Sequence, residues 1–279
     1  MNKIEEITNE YRINYYTKNL NNSTIEVNGD MNFAYDVVFL ANKVYLENNK
    51  DSNNYFRDIL RYFSNINSEK HFFCKFGDDF DNSSYPSFIK TREINKNSYN
   101  NILLNLNTEI HVSMLHFINS IDIPFNEKNN KLLWRGSSTG KVRHLLRETL
   151  VKQFQNHSNP NIDIKFTNLV QGYTNNNNEY IIADNMSYQE QLKSKFIISI
   201  EGNDVATNLK WLLLSNSVVL MPIPKICSWY MEDHLQPFTH FIPLNDDFND
   251  LEEKYNWCLE NLDDCEKISQ NATKYIQQK

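Results

Sequence analysis

The sequence predicts an α/β fold built on a parallel sheet with helices on both faces. Two observations support this prediction. In the second half of the chain, short apolar runs alternate with helical patterns of about 10–15 residues, which is typical of parallel βαβ units. Residues 196–222, FIISIEGNDVATNLKWLLLSNSVVLMP, show the unit most clearly: a strand, a turn at Gly202-Asn203-Asp204, a helix and a second strand.

The first half has weaker patterns. A helix over residues 52–66 is indicated by apolar residues at helical spacing, among them Phe56, Ile59 and Phe63. A second helix is predicted over 108–121. Short strands are predicted within 35–46 and at 71–76 and 87–91. Residues 126–131, NEKNNK, are polar and without a period, so they predict a linker.

The second half alternates more regularly. Ser187 followed by Glu190 is a capping box, which predicts the start of a helix that runs to residue 195. The predicted strands are 132–134, 162–166, 196–200, 217–220 and 240–244, and the other predicted helices are 141–154, the segment after Gly202, and two that start at 247 and 263. In such sheets, ligands bind beyond the carboxyl ends of the strands.

Composition limits the classes of function. The chain has 279 residues, 40% of them hydrophobic, and a net charge of −7, which argues against a nucleic-acid partner. The four cysteines lack metal-ligand spacing and are typical of reduced thiols in the cytosol. The N-terminus is polar, and no run approaches the ~18 apolar residues that span a membrane. We therefore expect a cytoplasmic protein.

Two strand ends carry the residues that favour an anion site. Residues 132–146, LLWRGSSTGKVRHLL, place Arg135-Gly136 after a strand and Arg143 in the following helix. The second strand end is Glu201-Gly202-Asn203, with Lys210 in the helix beyond. Parallel strands place both turns at one edge, where the cations and helix N-termini can surround a diphosphate. The alternatives are ordinary turn glycines, a structural ion pair at Arg135 and a solvated Lys210.

Longer motifs carry a resemblance to a known family. WRGSSTG with a following arginine, residues 196–222, WYMEDHLQPFTHFIPLNDDFNDLEE (229–253) and NAT-YI (271–276) resemble the lipopolysaccharide-modifying branch of glycosyltransferase family 90. That family also holds eukaryotic protein O-glucosyltransferases and capsule xylosyltransferases. The resemblance is strongest from Leu132 onward and continues more weakly through FGDDFDNSSYPSFIKTREI (76–94) and DIPFNEK (122–128).

The resemblance implies a GT-B-like fold, in which two Rossmann-like domains face a cleft. Residues 1–128 would form the acceptor-side domain, and residues 129–279 the domain that binds a nucleotide sugar. It further implies an inverting, metal-independent enzyme without a cofactor that moves a sugar from a UDP-sugar to a hydroxyl of a lipopolysaccharide or capsule glycan. A lipid-linked acceptor would bring the enzyme to the inner membrane surface. The rival hypothesis is a catalytically silent module of the same fold that binds a nucleotide sugar or a glycan.

The family's catalytic aspartate matches Asp78, which follows a predicted strand and Gly77 and precedes Lys90-Thr91-Arg92. Asp79 and Asp81 are alternatives, and a solvated acidic loop is the simplest other interpretation. The predicted donor-binding residues are Arg135, Gly136, Ser137, Arg143, Glu201, Gly202, Asn203, Ala206, Thr207, Asn208 and Lys210.

Three positions depart from the family's pattern. Asn208 stands where eukaryotic members have arginine, Ile110 where the branch usually has arginine, and Cys227 where glutamate is common. Trp229 and Tyr230 are interpreted as core residues rather than as a sugar-stacking pair.

Overall fold

The computed structural model describes residues 9–17, 37–40, 43–46, 53–63, 73–74, 76–78, 87–95, 101–140, 145–175 and 177–278. The chain folds as two compact units. The first unit comprises Met1–Ile110 and Lys225–Met231, and the second comprises His111–Pro224 and Glu232–Lys279. The predicted assignment of 1–128 to the acceptor and 129–279 to the donor stays a prediction.

The first unit contains a five-stranded mixed sheet. Its strands follow the order β2-β1-β3-β4-β6, with β1 antiparallel to β2 and β3, and β4 parallel to β3 and β6. The helices and strands of this unit up to residue 103 are α1 (Asn9–Thr17), β1 (Val37–Leu40), β2 (Lys43–Leu46), α2 (Asn53–Phe63), β3 (Phe73–Cys74), β4 (Ser87–Ile89), β5 (Thr91–Glu93) and β6 (Asn101–Leu103).

A late segment of the chain completes the first unit. Strand β11 (Ile226–Ser228) pairs antiparallel with β5, and this places Cys227 opposite Arg92. Cys227 is fully buried in a cluster with Tyr15, Ile89, Leu103 and Met231. Tyr230 is buried and Trp229 half-buried, with ring centroids 3.9 Å apart, as core packing predicts.

The second unit contains a five-stranded sheet in which every pair of neighbours is parallel. Its order is β12-β10-β9-β7-β8. The predicted α/β class and the predicted parallel sheet are confirmed. The strands are β7 (Asn129–Ser137), β8 (Ile162–Asn168), β9 (Ser194–Ile198), β10 (Val218–Pro222) and β12 (Ile242–Leu244), and the helices are α5 (Leu146–Phe154), α6 (Tyr188–Gln191), α7 (Leu209–Leu214), α8 (Leu251–Glu260) and α9 (Leu262–Gln277).

Alternation along β7 decides which side chains enter the main core. Leu132 and Trp134 join a buried cluster that continues through the neighbouring strands and through α5, α8 and α9. Since successive side chains of a strand point to opposite faces, Leu133 and Arg135 lie on the other face. Leu132 pairs with Ile162 on one side and with Phe196 on the other, so β7 lies between β8 and β9.

The linker prediction for residues 126–131 is wrong. Phe125–Glu127 form a 3-10 turn, and β7 begins at Asn129. Between them, Lys128 is buried: its Nζ forms an ion pair with Asp122 and donates a hydrogen bond to the carbonyl oxygen of Leu192. Burial lowers the pKa of Lys128, and Asp122 opposes that shift. The segment is polar in sequence, yet the side chain of Lys128 is buried and anchored by these contacts.

The predicted helix over 108–121 is broken. It is replaced by α3 (Thr108–His111), a 3-10 helix over Ser113–His116 and α4 (Ile118–Ile121). The backbone of Val112 (φ −123°) and of Phe117 (φ −128°) leaves the helical region between them. Ile118 is buried whereas Ile110 and Phe117 are exposed, so the apolar residues do not form one continuous stripe.

Other predicted helix bounds shift in the structure. The capping box of Ser187 and Glu190 is present, but α6 ends at Gln191 because β9 begins at Ser194.

In the part of the chain that the structure describes, no helix is both long enough and apolar enough to cross a bilayer. All four cysteines are buried and carry free thiols.

Candidate functional site

Three loops meet at the carboxyl edge of the second unit's sheet. They follow β7, β8 and β9, which are neighbouring parallel strands. The amide nitrogen of Gly140 lies 3.0 Å from Gln171 Oε1 and 3.1 Å from Asn203 Oδ1. Gln171 Nε2 in turn donates to Asn203 Oδ1 at 2.7 Å. The two turns that the sequence predicts at one edge are therefore in contact there, with Gln171 joining them from the third loop.

Two glycines permit this close approach. Gly140 has a φ of +94°, and a Cβ atom there would lie 3.0 Å from the carbonyl oxygen of Gly202. A Cβ atom at Gly202 would lie 2.7 Å from Thr139 Oγ1 and 2.9 Å from Arg147 Nη2. A side chain at Gly202 would therefore force Thr139 or Arg147 to shift, and one at Gly140 would press on the Gly202 backbone. The positive φ of Gly140 also favours glycine at that position.

Arg147, in the first turn of α5, ties the loop after β7 to the end of β9. Its Nη1 donates to the carbonyl oxygen of Ser137 at 3.2 Å and to Thr139 Oγ1 at 2.6 Å. Its Nη2 donates to the carbonyl oxygen of Ile200 at 3.0 Å. Burial lowers the pKa of Arg147 to about 10, although Asp204 acts in the opposite direction.

Sequence reasoning missed Arg147. The available signal was its helical spacing, since it lies three and four residues before Leu150 and Val151, which are both fully buried. An arginine on the apolar stripe of a helix needs buried acceptors. Nothing in the sequence shows that these acceptors come from the ends of two strands.

The loop after β8 is held by the neighbouring residue of α5, Glu148. Its carboxylate accepts hydrogen bonds from the hydroxyls of Tyr173 at 2.5 Å and Tyr180 at 2.9 Å, and from Lys152 Nζ at 2.8 Å. Burial opposes ionisation of Glu148, but these hydrogen bonds outweigh it and lower its pKa. Two adjacent residues of α5 thus anchor all three loops.

Arg135 is engaged in an ion pair on β8. Its Nη2 donates to Asp163 Oδ2 at 2.7 Å, and its Nη1 donates to the carbonyl oxygens of Trp134 and Asp163. Lys131 and Lys165 also contact the Asp163 carboxylate, both at 2.8 Å. Burial opposes the ionisation of Asp163, yet the hydrogen bonds from its three cations hold the pKa of its carboxyl well below the usual range.

The guanidinium of Arg135 leans away from the loops. Along β8, Arg135 pairs in register with Lys165, whereas Asp163 pairs with Leu133, two residues nearer the amino end of β7. The structure therefore shows the structural ion pair that was one of the two sequence interpretations. The donor-binding role of Arg135 stays a prediction.

Lys210 is buried and not solvated. Its Nζ lies 3.2 Å from Glu232 Oε1, and each of these side chains is only 2% exposed. Two positions earlier, Asn208 Nδ2 donates to the carbonyl oxygen of Ile198, and Asn208 Oδ1 accepts from Ser199 Oγ. These hydrogen bonds link Asn208 to the last residue of β9 and to Ser199, the residue that follows it.

The expectation of a helix N-terminus at Gly202 is wrong. Helix α7 begins at Leu209 and has six residues, so residues 201–208 form an extended turn instead. The other predicted donor-binding residues that the structure describes lie in this turn or at the end of β7. Glu201 and Asn203 are half-buried, Ala206 is buried, Thr207 is exposed, Gly136 and Ser137 close β7, and Arg143 lies outside the described residues.

Asp78 belongs to the first unit. Lys90 Nζ donates to Asp78 Oδ1 at 2.7 Å; the lysine side chain is 3% exposed and that of Asp78 is 43% exposed. The backbone is fixed nearby, because Tyr55 donates to the carbonyl oxygen of Gly77, which has a φ of +93°. The alternatives Asp79 and Asp81 lie outside the described residues.

Comparison with known proteins decides the family. Residues 106–279 match the family described as Glycosyl transferase family 90. The chain belongs to glycosyltransferase family 90. It is 37% identical over 221 residues to O-glucosyltransferase LpsA of Dichelobacter nodosus, a match that covers 79% of this chain and 64% of the relative. The chain therefore spans less than two thirds of that relative.

More distant relatives match parts of the chain. Protein O-glucosyltransferase 2 of Danio rerio is 30% identical over 148 residues, covering 52% of this chain and 28% of the relative. An uncharacterized protein, 179R, of Invertebrate iridescent virus 6 is 36% identical over 95 residues, covering 32% of this chain and 8% of the relative.

In the described ranges, His, Cys, Asp and Glu side chains form no group of three that could hold a metal ion.

Substitution Gly202→Ala tests the packing of the loops. The added methyl group must displace Thr139 or Arg147, so we expect faster hydrogen exchange at the Gly140 amide, measured by NMR or mass spectrometry. Gly172→Ala is the matched control, because the added methyl meets no atom within 4 Å and adds only the strain of a positive φ. Equal exchange at Gly140 in wild type and Gly202→Ala would refute the steric argument.

Asp163 predicts a pH dependence of stability. Because its folded-state pKa is depressed, its contribution is fully present above the unfolded-state pKa near 4 and is lost as the pH falls further. The difference in unfolding free energy between wild type and Asp163→Asn should therefore be larger at pH 6 than at pH 3. Urea titrations at the two pH values measure it. A difference that is the same at both would contradict the ion-pair network.

Proposed function

We propose that the protein is an inverting glycosyltransferase that moves a sugar from a UDP-sugar to a hydroxyl of a surface glycan, in lipopolysaccharide or capsule. Membership of glycosyltransferase family 90 supports sugar transfer. The names of the relatives, O-glucosyltransferase LpsA and protein O-glucosyltransferase 2, favour a hexose, and glucose first, as the sugar.

The observation that carries the proposal is the junction of three loops at the carboxyl edge of the parallel sheet. Glycines at 140 and 202 let the loops pack closely there, and the Arg147 guanidinium lies directly against Gly202. A departing nucleoside diphosphate needs nearby positive charge and backbone donors, because negative charge develops on it as the glycosidic bond breaks. We assign the UDP-sugar to this edge.

The acceptor side is assigned to the first unit. A single displacement requires a base that removes the proton of the acceptor hydroxyl as its oxygen attacks the anomeric carbon and the bond to UDP breaks. Asp78 suits this role, since its carboxylate is partly exposed and is oriented by the buried Lys90. The proton moves to Asp78, and the bonding electrons leave with UDP.

The two units are proposed to be the two domains of a GT-B enzyme, the second holding the donor. We also propose a cytoplasmic enzyme that associates peripherally with the inner membrane when its acceptor is lipid-linked, and that binds no nucleic acid. A silent binding module of the same fold would bind UDP without releasing it from a donor. Measurement of UDP release from a UDP-sugar separates the two functions.

Asp78→Asn tests the enzymatic proposal. The amide keeps the shape of the carboxylate and removes its basicity, so turnover should fall by about 10²–10⁴-fold while UDP affinity changes little. Release of UDP from UDP-glucose, with and without a glycan acceptor, measures turnover, and calorimetry measures affinity.

Asp79→Asn and Asp81→Asn are the matched controls, since both residues follow closely in the same acidic stretch of sequence. Activity in Asp78→Asn combined with its loss in one of the controls would move the base to that residue. Activity in all three variants would exclude this loop as the source of the base.

Chelation tests the metal-independent part of the proposal. If protein cations and backbone donors stabilise the leaving diphosphate, transfer should persist in excess EDTA. The same assay of UDP release applies, with and without added manganese. Loss of transfer in EDTA that manganese restores would establish a metal requirement instead.

A further inference from the structure

We propose that Arg147 is the positioning residue of the donor site. It would hold the ends of β7 and β9 in the arrangement that receives the diphosphate, and it would supply positive charge behind them. This proposal rests on the assignment of the UDP-sugar to the loop edge.

The hydrogen bonds of Arg147 reach both strand ends at once. Its two terminal nitrogens contact Ser137 at the end of β7, Thr139 just beyond it, and Ile200 after β9. These partners lie up to 53 residues from it in sequence. A planar guanidinium can donate in several fixed directions, which a lysine ammonium on a flexible stem does not reproduce. Arg147 therefore ties these two strand ends together from below the contact between Gly140 and Asn203.

The acceptors of Arg147 are neutral oxygens. Asp204 acts on it through space, but among the residues that the structure describes no carboxylate oxygen accepts a hydrogen bond from its guanidinium. Arg135 and Lys210, by contrast, make direct ion pairs with Asp163 and Glu232. Of these three cations, Arg147 is thus the one whose charge is not compensated by a direct ion pair with a described carboxylate.

The steric arrangement places that charge close to the loop backbone. Arg147 Nη2 occupies the space beside Gly202 that a side chain would need. Across the junction, Gly140 packs against the carbonyl of Gly202 and donates its amide to Asn203. The guanidinium, both glycines and the cross-linking amides thus form one packed layer at the edge of the sheet.

The chain offers a matched control in Lys128. This second buried cation also connects β7 and β9, but at their amino ends, where it contacts Asp122 and the carbonyl oxygen of Leu192. Loss of either cation should destabilise the same sheet. Loss of Arg147 alone should change the donor site.

The test compares Arg147→Met, Arg147→Lys and Lys128→Met. We expect Arg147→Met to weaken UDP binding at least tenfold by calorimetry and to raise KM for the UDP-sugar by a similar factor, with kcat changed less than threefold. Arg147→Lys should recover part of the affinity, because the charge returns without the fork of donors. Lys128→Met should lower the melting temperature and keep UDP affinity within twofold of wild type.

The outcomes separate this proposal from the function on which it rests. The positioning role alone is overturned if wild type binds UDP and Arg147→Met binds it with unchanged affinity. It is also overturned if Lys128→Met loses as much UDP affinity as Arg147→Met. A folded wild-type protein that binds no UDP overturns the proposed function as well. If Arg147→Met does not fold, the affinity of Arg147→Lys decides: a loss relative to Lys128→Met supports the role, and no loss overturns it.

Discussion

The parallel pairing of β7 with β8 on one side and β9 on the other is the constraint on which the site depends. Leu132 lies opposite both Ile162 and Phe196, and this register brings the loops after the three strands to one edge. Core packing stabilises this pairing, because Leu132 and both of its partners belong to the buried core cluster. A slip of one residue would turn those side chains out of the core and move Gly140 away from Gly202.

Local patterns in the sequence were sufficient for most elements of the second unit. Strands β9 and β10 contain continuous apolar runs, and β8 alternates apolar with polar residues. The capping box of Ser187 and Glu190 forms as expected because both of its hydrogen bonds lie within four residues. The three-residue strands β6 and β11 were missed, since so short a segment shows no alternation. Lys128 was misread because its acceptor at Leu192 lies 64 residues away.

Contacts between residues far apart in sequence also explain what could and could not be predicted at the candidate site. The two glycine turns and their shared edge of the sheet were predictable, because the apolar pattern reveals the parallel strands that they follow. The partner of Arg135 depends on the register between β7 and β8, and the partner of Lys210 depends on how α7 packs against residue 232; composition encodes neither. Arg135 meets Asp163 28 residues on, and Lys210 meets Glu232 22 residues on. Both carboxylates lie outside the motifs that single out the cations, so only the structure reveals these pairs.

The buried cations of this protein differ in how their surroundings compensate their charge. A buried ion pair such as that of Lys210 and Glu232 fixes two side chains and leaves little net charge, at the cost of desolvating both. At Lys90 and Asp78 the pair is asymmetric, since the lysine is buried and the carboxylate is partly exposed, so the lysine orients a group that can still reach a ligand. Arg147 is the complementary case: neutral oxygens accept hydrogen bonds from both of its terminal nitrogens, and within the described residues no direct ion pair compensates its charge. A chain with a net charge of −7 can thus present local positive charge to an anion, because the neutralising carboxylates are placed beside other cations.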